Sequence, residues 1–263
     1  MSRIVSLAAG TVLPLDPEAT IDIAARAGFR YVGLRPNCSD MPIGGWAELR
    51  RRAGDKGISV FDIEVIRLGV TTRFDIDALI DAGAELGARW LLTVSHYDDS
   101  RRTIDILQSM AAQCEATGTL LRPALEFMSF TSVKTMGEAV AIANAASAGV
   151  VIDALQLHRS DATPADVAQL MSGPCVPPCY LQACDTNVAT VPINELADEA
   201  RHRRLIPGTG FLPLAALVAA LPIDTAMTAE VQSDALLNSL GTYELSVQCR
   251  RSIDELLGFF EPH

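Results

Sequence analysis

At 263 residues, 49% hydrophobic and 20% charged with a formal net charge of -11, the chain has apolar material for a large core. Its acidic balance argues against partners with nucleic-acid phosphate or anionic membrane surfaces. No run of about 18 apolar residues marks a membrane span, and the length suits one α/β barrel of roughly 250 residues.

In chain order, Arg3 to Ala9 reads as a strand, and "PEATIDIAARAGF" has helical spacing with a glycine near its end. With Asp16 and Glu18 so close behind the single Arg3, this N-terminal segment reads as strand, loop and helix rather than as a signal peptide. "YVGLRP" is the second strand, "WAELRRRAGDKG" lies in a helix, and "ISVFDIEVIRL" is the third strand. The unit then repeats through "FDIDALIDAGAELG" and "ARWLLTVSHY", and through "RRTIDILQSMAAQCEATG" and "LRPALEFM". "TMGEAVAIANAASA" leads to "GVVIDALQLH", "TPADVAQLMS" to "CYLQACD", and "GFLPLAALVAALP" to "TAMTAEVQ".

Eight strands alternating with helices over residues 1–263, with no linker between them, predict a single (β/α)8 TIM barrel in the α/β class. A doubly wound open sheet is the rival, because periodicity does not show closure. The amphipathic C-terminal segment "LLNSLGTYELSVQCRRSIDELLGFF" serves either as a homodimer contact or as cover for the barrel floor. Six cysteines in a chain of this size need form no disulfides, which favours a reduced, cytoplasmic protein. Cys175 and Cys179 have no second pair to complete a zinc site, and Cys184 reads as a core residue. There is no dinucleotide fingerprint and no nucleophile elbow.

Parallel strands deliver their last side chains to one face, so polar residues at strand ends mark the candidate site. These are Glu64 and Arg67 on the third strand, His96 on the fourth, Glu126 on the fifth, Asp153 and Gln156 on the sixth, Gln182 and Asp185 on the seventh, and Glu230 on the eighth. Carboxylates aimed into one cavity repel each other and lose solvent, and a divalent cation is the simplest compensation. Glu126, Asp153, Gln182 through its amide oxygen, and Glu230 form a hard-oxygen set suited to Mg or Mn, with Co or Zn as alternatives. Each acid taken singly has a plainer reading, as a helix cap or as an arginine's partner. Glu126 and Glu230 fit that reading less well, since Glu is a poor N-cap and both sit in or after apolar runs.

"PALEFM", "GVVIDALQLHRS", "CYLQACD", "RRLIPGTG" and "TAEVQ", in that order and spacing, resemble the xylose isomerase-like TIM barrels. That group includes sugar and sugar-phosphate isomerases and epimerases, inosose and 3-dehydroshikimate dehydratases, and the more distant endonuclease IV. The resemblance covers nearly the whole chain. It implies metal ligation by Glu126, Asp153, Gln182 (commonly His in the family) and Glu230, and substrate contact by Arg204 of the segment Arg204, Pro207, Gly208, Gly210. Two positions depart from the pattern, because Gln156 stands where a substrate-contacting His is usual and Thr209 where an acid commonly separates the glycines.

The activity this implies is isomerisation or epimerisation of a small sugar, sugar phosphate or polyol ketone. A proton leaves the carbon next to a carbonyl, coordination stabilises the enediolate, and Glu126 and Glu230 serve as the paired acid and base. Arg204 then binds a substrate carboxylate or phosphate, or forms a salt bridge to Glu199 or Asp198. Arg67 has the same two readings, with Glu64 orienting it or binding substrate hydroxyls. His96 is either an acid/base or substrate contact or a surface residue, and His202 and His263 read as solvated. A dehydratase of the 3-dehydroshikimate or inosose type is the runner-up, and a non-catalytic sugar-binding descendant is the alternative of another class. The multi-zinc endonuclease is set aside, because the chain has four histidines and an acidic balance.

Overall fold

The computed structural model describes residues 3–40, 44–174 and 177–258. Eight parallel strands close on themselves in sequence order: β1 (Val5–Leu7), β2 (Tyr31–Leu34), β3 (Ser59–Leu68), β4 (Trp90–Ser95), β5 (Arg122–Glu126), β6 (Gly149–Asp153), β7 (Cys179–Ala183) and β8 (Met227–Ala229). Closure rests on β1 pairing with β8, Val5 opposite Met227 and Leu7 opposite Ala229. The open-sheet alternative is thereby removed.

The helices are α1 (Pro17–Arg26), α2 (Gly45–Asp55), α3 (Arg73–Leu86), α4 (Ser100–Ala116), α5 (Met136–Ala146), α6 (Ala154–Arg159), α7 (Pro164–Met171), α8 (Leu196–His202), α9 (Leu214–Ala220) and α10 (Asp234–Gly258). Their starts follow local chemistry. Asp16 accepts from the Ala19 N–H with Pro17 at the first helical position, and Thr135 and Glu138 form a reciprocal capping box on α5.

Two apolar cores follow from strand alternation, since residues two apart share a face. The larger lies between strands and helices. The smaller fills the barrel interior with Phe61, Trp90, Leu92, Ala124, Val151 and Tyr180. Tyr180 stacks edge-on to Phe61 with ring centroids 5.2 Å apart.

The elements differ from the sequence expectation in three places. The first strand is shorter than residues 3–9, because the chain turns into a 3-10 helix at Ala9–Val12. Thr11 pins that turn by donating to the Ala229 carbonyl and accepting from the Val231 N–H, both at 2.8 Å. Helices α6 and α8 were not expected. The C-terminal segment bends at Gly241, whose φ of 71° suits glycine, and packs against α9, β8, β1 and α1. It therefore completes the helical ring rather than covering the floor. No helix among the described residues is long and apolar enough to cross a membrane. Cys38, Cys114, Cys179, Cys184 and Cys249 are free thiols. Cys175 and His263 lie outside the described residues.

Candidate active site

Ala124, Val151 and Tyr180 face the barrel interior, so Glu126, Asp153 and Gln182, each two residues further on, face it one layer higher. Glu230 follows β8 and extends the ladder, its N–H donating to the Ala183 carbonyl at 3.0 Å. All four side chains are buried. Asp153 and Gln182 are direct partners across β6 and β7.

Asp153 is the most committed of the four. Its Oδ1 accepts from the Gln156 N–H at 2.9 Å and so caps α6, while its Oδ2 accepts from Arg204 Nη1 at 2.5 Å. Both readings of an isolated acid, cap and arginine partner, hold at this one residue. Arg204 is itself buried and also donates from Nε to the Ala200 carbonyl at 2.7 Å and from Nη1 to the Glu230 carbonyl at 3.2 Å. The expected alternative partners of Arg204 are engaged elsewhere, Glu199 with Arg159 at 2.5 Å and Asp198 with Arg203 at 2.9 Å. That part of the expectation is corrected, because the chain after α8 turns Arg204 inward to Asp153, away from the acids of α8.

Glu126 and Glu230 are left in a different state. Among the described residues, Glu126 Oε1, Gln182 Oε1 and Glu230 Oε2 are buried without a hydrogen-bond partner. Burial foremost, with Asp153 next, raises the Glu126 carboxyl well above the usual range. Burial and then Glu64 push Glu230 up to about 7, against the opposing pull of Arg204 and Arg35. Gln232 Nε2 donates to Glu230 Oε1 at 2.5 Å and fixes its orientation.

Both glutamates and Arg204 line a cavity of about 310 Å³, the small end of the usual ligand-pocket range. Its walls include Leu92, Val94, Met128 and Phe130, and its rim carries Arg35, Arg67, His96, Arg201 and His202. Gly10 also lines it, and a Cβ there would overlap Glu230 Oε1 and Gln232 Nε2. Gly10→Ala is therefore expected to displace the Glu230 carboxylate, lowering any proton-exchange rate about 100-fold while costing about 1–3 kcal/mol of stability. Unchanged exchange in a folded variant would show that Glu230's position does not matter.

The remaining expected site residues have varied places. Glu64 accepts from the Ala9 N–H at 2.8 Å, the Gly10 N–H at 3.2 Å and Arg35 Nε at 3.3 Å, so it secures the β1 loop and orients Arg35 rather than Arg67. Arg67 is half-buried at the cavity rim and His96 exposed there. Gln156 is buried with both amide atoms unpartnered, and it is not in the cavity wall. Asp185 accepts from the N–H groups of Thr186, Leu212 and Gly208 at 2.8, 3.0 and 3.0 Å, so its carboxylate clamps the Gly-rich segment. His202 is exposed, 3.2 Å from Asp234.

Sequence reasoning missed Arg35, Arg201 and Gln232. Arg35 directly follows "YVGL" at a strand end and was open to the same argument as Arg67. Arg201 rides on the unexpected α8.

The unpartnered oxygens of Glu126, Gln182 and Glu230 are hard donors that fit a divalent cation, and Asp153 would join them already carrying a guanidinium. As they stand, no three or more His, Cys, Asp or Glu side chains among the described residues are grouped to hold a metal ion. The expected set contains an amide, and Arg204 has drawn Asp153 to itself.

No protein-family model matches the chain, and no curated protein matches it by sequence. Solved structures do match it. A xylose isomerase-like TIM barrel/4-hydroxyphenylpyruvate dioxygenase fusion protein superposes with a TM-score of 0.80 at 19% identity, covering 97% of this chain and 43% of the fusion. The IolI protein, crystallised with a bound zinc atom, gives 0.79 at 15% identity over 98% of this chain and 99% of its own. D-psicose 3-epimerase from Clostridium cellulolyticum H10, crystallised with D-tagatose, gives 0.72 at 14% identity over 98% and 99%. The chain has the fold of the xylose isomerase-like TIM barrels.

Proposed function

We propose that this protein is an isomerase or epimerase of a small polyhydroxy carbonyl compound, working by proton transfer at the carbon beside the carbonyl. The observation that carries this reading is the pair Glu126 and Glu230. Both are buried in the wall of one small cavity, both have raised proton affinity, and each has an oxygen without a partner. A carboxyl with an affinity near 7 both accepts and returns a proton at neutral pH, which is what a reversible transfer needs. Gln232 holds Glu230 in place, and the apolar wall of Leu92, Val94 and Met128 limits water around the carbon acid. The names of structures sharing the fold, among them D-psicose 3-epimerase and L-ribulose 3-epimerase, agree with this chemistry.

Glu126, Gln182 and Glu230, with Asp153, are the residues that would hold a divalent cation, Mn or Mg by their hard oxygens and Co or Zn as alternatives. Such an ion would supply Lewis-acid polarisation of a substrate carbonyl. Its binding is expected to raise the melting temperature, by several degrees at 100 times the dissociation constant, where stabilisation is about 2.7 kcal/mol. A melting temperature indifferent to all four ions would remove the cation from the proposal.

The activity is tested by incubating the protein, with each ion, with ketoses, inososes and dehydroshikimate in deuterated water. Deuterium gain at the carbon beside the carbonyl with the carbon skeleton intact is expected. A product lighter by one water would make the protein a dehydratase, which the same glutamate pair serves. No exchange from any compound would leave a binding protein.

A further inference from the structure

We infer that the substrate is an anion, a small compound whose carboxylate or phosphate is gripped by Arg67 and Arg201 at the rim of the cavity. This builds on the reading of that cavity as the substrate site. The two other arginines lining the cavity are ion-paired, Arg35 with Glu64 and Arg204 with Asp153. Arg67 and Arg201 are not paired with any carboxylate among the described residues.

Their position makes this notable in a chain with 32 acids to 21 Lys and Arg. Arg67 stands near the end of β3, half-buried, and no hydrogen-bond acceptor is in reach of its guanidinium among the described residues. Arg201, on α8, lies with its guanidinium 5.8 Å from the centroid of Phe130, an aromatic wall of the same cavity. The proton affinity of Arg67 is lowered by burial foremost, and then by the nearby Arg35 and Arg201, against the opposing pull of Glu126 and Glu64. Burial foremost, and then Arg67 and Arg201, lower that of His96 beside them. Arg67 and Arg201 gather like charge at the rim, while the acids that also line the cavity are either beside another group, Asp234 at His202, or deeper and of raised proton affinity, Glu126 and Glu230. Such a field concentrates anions at the mouth.

The guanidinium fork suits the planar oxygens of a carboxylate and the face of a phosphate equally, so the shared chemistry is an oxyanion. A neutral sugar would bring no charge to offset the two arginines. The cavity, at about 310 Å³, admits a molecule of sugar size with its charged end at the rim and its reacting carbons near Glu126 and Glu230.

Calorimetric titration of the full chain with a matched set, D-fructose, D-fructuronate and D-fructose 6-phosphate, tests this. At low ionic strength one charged member is expected to bind about 10-fold or more tighter than D-fructose, a gap of about 1.4 kcal/mol. The uronate and phosphate arms separate the two sources of charge. The advantage should shrink with added salt and be lost in both Arg67→Gln and Arg201→Gln, which replace a half-buried and an exposed side chain that make no ion pair and should melt near wild type. Three results would each overturn the inference: D-fructose binding as tightly as the charged pair, neither charged compound binding at about 10 mM, or an advantage that survives both substitutions. Deuterium exchange from a neutral ketose alone would leave the proposed activity standing without this inference. Arginine-dependent anion binding with no exchange would do the reverse.

Discussion

Arg204→Met is expected to lower the unfolding free energy by about 3–5 kcal/mol, because it strands the Asp153 carboxylate in the barrel interior. Asp153 is fully buried, and among the described residues its Oδ2 accepts only from Arg204. Methionine has nearly the right length but neither the charge nor the donors, and the carbonyls of Ala200 and Glu230 also lose their partner. In a barrel of this size that loss lowers the melting temperature by about 10 °C, measured with a chelator present so that no metal compensates the acid. The double variant Asp153→Asn/Arg204→Met should recover most of the loss, since Asn removes the stranded charge and still caps α6 through its side-chain oxygen. A single variant melting within a degree or two of wild type, or a double variant no better than the single, would show that the pair is not what lets Asp153 sit there.

Glu126→Gln and Glu230→Gln are each expected to reduce deuterium exchange by about 100- to 10,000-fold, the range for loss of a general acid or base. The same substitutions carry an opposite signature in stability. Because Glu230's proton affinity is raised from 4.5 to about 7 in the folded chain, the folded state binds the proton better than the unfolded one. Its contribution is fully present below about pH 4.5 and is lost as pH rises through about 7. Wild type should therefore lose stability relative to Glu230→Gln between about pH 5 and 8, by up to about 3 kcal/mol. Chemical denaturation of both proteins in chelator across that range measures the difference. A gap that does not change with pH would mean that Glu230 is ionised throughout and is no neutral-pH proton carrier.

The alternation of strands and helices was readable because each strand is a short apolar run between turn signals. Val150, Val151 and Ile152 are buried on both sides, inward by the barrel filling and outward by helices, and such double burial writes a continuous apolar run into the sequence. The error at residues 3–9 came from a long-range contact. Thr11 bonds to residues about 220 positions away, and that contact draws the chain out of the strand after Leu7.

The site was partly readable for the same periodic reason. Glu126, Asp153, Gln182 and Glu230 each stand at the end of an apolar strand, where only Asp153 has a local role among the described residues, as the cap of α6. Arg201 was not readable, since the seven residues of α8 are stabilised by packing rather than by a long amphipathic repeat. The clamping of Asp185 by three backbone N–H groups was equally hidden, because two of them come from residues 23 and 27 positions on.

The sequence by itself determined the order of elements and that Glu126, Asp153, Gln182 and Glu230 stand at strand ends, because both depend on periods of two and 3.6 along the chain. Only the tertiary structure decided that the sheet closes, that Arg204 neutralises Asp153 across 51 residues, and that Arg67 and Arg201 line one cavity without an ion pair of their own among the described residues. Charge compensation acts between groups within a few ångströms. Which groups come that close is settled by the packing of distant segments.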